Sequence, residues 1–160
     1  MTARRNNIVI WITLIVSLML TIMPLPIGVD EYRPNWALLV LIYWSLALPN
    51  RVNILIAWFI GFIIDVLLGS VLGINAFASA LIVYVSVNNF QKIRNFSLWQ
   101  QSLIVSVFIA LYHLIIFWVQ RFVFDVDFSF VYLKPVITST LIWPVIFLLL
   151  RKARRHFQVH

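Results

Sequence analysis

The stretch Gly61-Phe62-Ile63-Ile64-Asp65-Val66-Leu67-Leu68-Gly69-Ser70-Val71-Leu72-Gly73 decides how this chain is read. It carries the one acidic side chain set inside a long apolar run, and three of the four glycines. Gly61, Asp65 and Gly69 recur every fourth residue, so on a helix they stand one above another on a single face. A carboxylate in hydrocarbon is costly, and by default it marks a buried contact or a functional site. Small residues on the same face let a second backbone approach closely. The expectation is a meeting face, for a partner helix or for a second copy of the chain.

The surrounding composition sets the medium. Hydrophobic residues make up 63% of the 160 and charged residues 11%, with a mean hydropathy of +1.00. Soluble domains carry about a quarter charged residues. Here the apolar residues fall in long uncharged blocks, the pattern of several membrane spans. Cysteine is absent, which excludes disulfides, thiolate metal sites and cysteine nucleophiles. The net charge of +7 does not point to nucleic acid. Its basic residues sit at the ends of apolar runs, where topology places them, and no soluble platform exists to carry an oligonucleotide.

The blocks predict six spans over about 7–23, 34–48, 52–68, 71–87, 98–119 and 131–150. The first follows Arg4 and Arg5 as a signal peptide would, but Met23-Pro24-Leu25-Pro26 offers no small-x-small cleavage site, so it reads as uncleaved. Its stripe Thr13, Ser17, Thr21 is either a packing seam or a set of hydroxyls bonding back to their own helix. Pro34 suits the first position of the second span, with Asp30 and Glu31 just upstream. That span has fifteen residues and rises only ~22 Å, short of the ~30 Å hydrocarbon core. It either crosses a thin region or forms a re-entrant hairpin with the third span. A polar loop is expected over Asn88–Ser97 and another over Gln120–Ser129. Between them, Ser102, Ser106, Ala110, His113 and Gln120 line one stripe of the fifth span, and Pro144 should kink the sixth.

Charge gives the orientation. Arg4, Arg5, Arg51, Lys92, Arg94, Arg151, Lys152, Arg154 and Arg155 fall on one side of a six-span chain, and Arg33, Arg121 and Lys134 on the other. Nine against three puts both termini in the cytoplasm. The fold class expected is a single all-α membrane domain, a compact bundle of six transmembrane helices.

Within that frame Asp65 has three readings. It snorkels into external water, pairs inside the bundle with a donor such as His113 at similar depth, or contacts a partner or solute. Arg33-Pro34-Asn35 reads as a helix start with an interfacial cation, or as a docking rim. Arg151, Lys152, Arg154 and Arg155 read as a topology anchor on anionic lipid, or as a contact for a cytoplasmic partner. Reactive constellations are missing: no acidic pair within a span, no His-rich metal spacing, no nucleotide loop, no Ser-x-x-Lys, and no repeat between the two halves. Neither an enzyme nor a cofactor is expected.

Arg33-Pro34-Asn35-Trp36, the turn Leu46-Ala47-Leu48-Pro49-Asn50-Arg51-Val52-Asn53, and Gly61, Asp65, Gly69 and Gly73 together resemble the rod shape-determining membrane protein family MreD. Leu98-Trp99-Gln100-Gln101 and Leu150-Arg151-Lys152 are similar to its enterobacterial type. The resemblance covers essentially the whole chain. It implies a non-enzymatic inner-membrane scaffold of the cell-elongation machinery that binds MreC and through it links MreB, RodA and the elongation transpeptidase. It also implies the architecture of substrate-binding subunits of vitamin uptake transporters. The family's motifs fall on Gly61, Asp65, Gly69 and Gly73, and on Arg33 and Pro34. The second reading, from a different class, is a solute-binding membrane subunit of an uptake transporter, with an outward pocket lined by Asp65, Asn75, His113 and aromatics.

Overall fold

The computed structural model describes residues 2–159, with side chains from residue 7 onward. Arg4, Arg5 and His160 lie outside the residues whose side chains it describes. Among the described residues the chain is all-helical, without strands: α1 Thr2–Ile22, α2 Trp36–Ala47, α3 Ile54–Leu68, α4 Ile74–Asn88, α5 Phe90–Arg94, α6 Leu98–Phe124 and α7 Lys134–His156. Short 3-10 turns at Asp30–Tyr32 and Phe130–Leu133 precede α2 and α7.

The axis of the bundle is its shortest long helix. α2 has only 12 residues, and Ala37 through Ala47 are all buried. A helix that is apolar all round belongs in an interior. α1, α4, α5, α6 and α7 each pack against it. Trp44 is fully buried there, and its indole N–H donates to Thr13 Oγ1 of α1 at 2.9 Å. The hydroxyls of Thr13, Ser17 and Thr21 themselves donate to carbonyls one turn back, so Thr13 serves both as a back-bond and as a seam.

Local signals set most boundaries. Asn53 caps α3 by accepting from the Leu55 and Ile56 amides. Ser97 and Gln100 form a capping box at the start of α6. Several expectations need correction. α2 starts at Trp36, after Pro34, because Asn35 is its N-cap. The loop expected over 88–97 contains α5, and α6 runs five residues past 119, ending only at Asp125 in a left-handed conformation. α7 begins only at Lys134, has Pro144 inside it, and carries on past 150 to His156.

Two helical stretches, Leu98–Phe124 and Phe130–His156, are long and apolar enough to cross a membrane. α1 from Asn7, α3 and α4 are apolar but shorter. α3 and α4 form the most extensively packed pair in the molecule, and they position the site.

Candidate functional site

Gly61 sets the distance between α3 and α4. A Cβ added to it would lie 2.5 Å from the Asn75 carbonyl oxygen and 2.6 Å from Ala76 Cα. Only a residue without a side chain admits the first turn of α4 so near. One turn further along α3, the Asp65 side chain is wholly buried and points at that same first turn.

The first amides of a helix have no partner within it. Here Asp65 supplies most of what α4 needs. Its Oδ2 accepts from the Gly73 amide at 2.9 Å and the Ala76 amide at 3.3 Å. Its Oδ1 accepts from the Asn75 amide at 3.1 Å, the Asn75 Nδ2 at 2.8 Å and the Ser70 hydroxyl at 2.7 Å. The remaining early amide, Ile74, donates to the Val71 carbonyl. A negative charge at this position also meets the positive end of the α4 dipole. The Asp65 backbone carbonyl closes the other side of the turn, accepting from the amides of Gly69 and Ser70.

The glycines that follow do different work from Gly61. Gly69 caps α3 at φ 63°, and Gly73 precedes α4 at φ 100°. Both take left-handed backbone, which side chains with a Cβ resist. Neither has a neighbouring atom within 4 Å of where a Cβ would be. They turn the chain and leave close packing to Gly61.

The network continues through Asn75. Its Oδ1 accepts from the buried Tyr112 hydroxyl of α6. The side chains of Asn35 and Ser79 lie beside the same hydroxyl, and the Asn35 amide donates to Ser139 Oγ of α7 at 3.0 Å. One polar cluster thus ties α3, α4, α6, the start of α2 and α7 together. Tyr112, Ser70 and the bridging role of Asn75 were not anticipated from sequence.

Two expectations for this face are overturned. His113 is not a partner of Asp65. Its ring packs edge-on to Tyr112 and lines a separate apolar cavity of about 280 Å³ with Val107, Leu114, Phe117, Phe128 and Leu133. Nor is the Gly61–Asp65 face open to a partner helix or second copy, because α4 of the same chain occupies it. The outward pocket required of a solute-binding subunit fails for the same reason. Asp65 and Asn75 are buried in mutual hydrogen bonds, and His113 faces elsewhere.

Arg33 is likewise committed within the chain. Its guanidinium donates to the carbonyls of Thr21 and Met23 (2.6 Å to the latter) and pairs with Asp30 at 2.5 Å. It holds the last turn of α1, where a cation suits the helix dipole. Pro34 stands just outside α2, its carbonyl accepting from the Trp36 amide. Arg151, Lys152, Arg154 and Arg155 form the last turns of α7, a helical continuation where the sequence reading ended its span. Among the described residues no group of His, Asp or Glu is arranged to hold a metal.

A family model described as rod shape-determining protein MreD matches residues 2–153. This chain belongs to the MreD family. It is 36% identical over 154 residues to the rod shape-determining protein MreD of Haemophilus influenzae, covering 94% of this chain and 95% of that one. No solved structure matches it. Family membership gives this MreD chain a part in determining rod shape and a place among membrane proteins. The residues that carried the resemblance, Asp65 and its glycines, are the ones that organise the α3–α4 pair.

Proposed function

We propose that this MreD-family chain is a non-enzymatic, multi-pass scaffold of the bacterial inner membrane. It binds MreC, and through MreC links MreB, RodA and the elongation transpeptidase. The observation that carries the reading is the closed character of the polar cluster. Asp65, Asn75 and Tyr112 spend their hydrogen bonds holding helices to one another, which suits a rigid platform better than a reaction site. Contacts with partners then belong to the outer surface, which also leaves room for a homodimer.

In this reading α1, α2, α3, α4, α6 and α7 are the six membrane helices, α5 lies at the cytoplasmic surface, and both termini are cytoplasmic. Contacts between segments support the sorting of ends. Arg51, between α2 and α3, donates to Asn7 of α1 at 2.5 Å. At the opposite end Glu31 pairs with Lys134, and Arg33 reaches Thr21. Large apolar side chains such as Ile15, Leu55, Phe77, Leu103 and Leu141 are exposed on five different helices. An apolar outer surface is what lipid contact requires.

The test is crosslinking in growing cells from photoreactive residues placed at Leu55, Leu103 and Leu141, with recovery of the tagged chain. MreC is the expected adduct at one or more of them. Failure of MreC to appear in any adduct, or in the co-purified material, would sink the scaffold reading.

A further inference from the structure

We propose that the end of α7 carries a built site for the headgroup of an anionic phospholipid. Arg151 with Arg155, and Lys152 with His156, are i, i+4 pairs that form two adjacent rows on one broad face of the helix. With Leu148, one turn earlier on that face, they line a hollow of about 540 Å³. All four are exposed.

Among the described residues no acidic side chain pairs with this face. The two ion pairs among the described residues, Arg33–Asp30 and Lys134–Glu31, both lie at the end where α7 begins. Asp65 is buried at the α3–α4 turn, and Asp125 and Asp127 follow α6. All five acids therefore sit at that far end, separated from the hollow by the length of α7. Its 23 residues span about 34 Å.

The apolar side of the hollow selects a lipid over a free anion. Val145, Leu148 and Leu149, immediately before the cations, are all exposed. A phosphate held by Arg151 and Arg155 would leave its acyl chains running along these residues. Arginine forks suit phosphate oxygens. Beside them His156 packs edge-on against Phe157, with ring centroids 5.0 Å apart.

The site rests on the proposed membrane orientation only in its choice of leaflet, and labelling of the termini tests that orientation separately. For the site itself, the purified full chain in neutral detergent is mixed with phosphatidylglycerol or phosphatidylcholine, and bound lipid is read by native mass spectrometry. Wild type should retain phosphatidylglycerol at least about tenfold better than phosphatidylcholine. R151Q/R155Q should lose that preference. K92Q/R94Q removes two charges from exposed positions on α5 and should keep it. If R151Q/R155Q does not fold, K152Q/H156Q, at exposed positions, is read in its place with the same loss expected. Equal retention of both lipids by wild type would overturn the site. So would equal loss in the two arginine- and lysine-depleted doubles, which would mean diffuse attraction alone. Displacement by millimolar inorganic phosphate would overturn the choice of a lipid.

Discussion

An aspartate whose two oxygens accept five hydrogen bonds leaves little room for a substitute. In Asp65→Asn the new amide nitrogen would face backbone amides that are themselves donors. Loss of charge-assisted bonds in a buried setting costs about 3 kcal/mol. The expected result is a lower unfolding midpoint in detergent, followed by tryptophan fluorescence; an unchanged midpoint would mean the α4 amides have other partners. Gly61→Ala should also destabilise, by about 1–3 kcal/mol, because backbone and not a flexible side chain stands in the way of its Cβ. Its loss should appear as reduced yield of folded protein, in parallel with any loss of MreC binding. Asp65 was legible in the sequence because a lone acid in an apolar run demands an explanation. Its partners were not, since three of them are main-chain amides and carry no side-chain signature. His113 drew attention as the titratable neighbour, yet the adjacent Tyr112 makes the link, and helix rotation alone decides between them.

Among the elements, α2 best illustrates what periodicity conveys and what it omits. Its brevity reads as a thin span or a hairpin, when the stronger signal is that no side of it is polar. That signal means burial by neighbours on all sides, and α2 is the helix the others surround. α5 escaped notice because five residues are too few to display a period. The four-residue spacing of Gly61, Asp65 and Gly69 suggested one continuous face, but Gly69 leaves the helix, so the face ends at Asp65. α1 depends chiefly on α2 for its packing, and the Trp44–Thr13 hydrogen bond is a polar tie between them. Thr13→Val leaves the buried indole N–H without its acceptor, at about 1–3 kcal/mol. Limited proteolysis should then release α1 earlier than in wild type. Ser106→Ala, whose hydroxyl bonds only to its own helix, should digest like the parent.

For the whole molecule the absence of cysteine is an experimental convenience. Single cysteines report sidedness against a silent background. Ile27→Cys, in the fully exposed turn before α2, should react with a membrane-impermeant maleimide in intact cells. Lys92→Cys on α5 should react only after lysis, and the reverse pattern would invert the proposed orientation. The all-helical class was accessible from hydropathy, because it is a sum over many residues, and the orientation read from charge is what this labelling tests. The internal packing was not, because it turns on single contacts between segments far apart in sequence.

The Asp65 cap also bears on how the chain is made. Synthesis delivers the carboxylate of α3 before the amides of α4 exist, and for that interval the Ser70 hydroxyl is the one donor of its final set already made. A segment ending near Leu72 would present the membrane with an acid lacking four of its five hydrogen bonds, a cost of up to about 3 kcal/mol. Adding residues through Asn88 would remove it. In the proposed topology the two helices should therefore enter the bilayer as one hairpin, with the glycine turn leading and the buried aspartate acting as its latch.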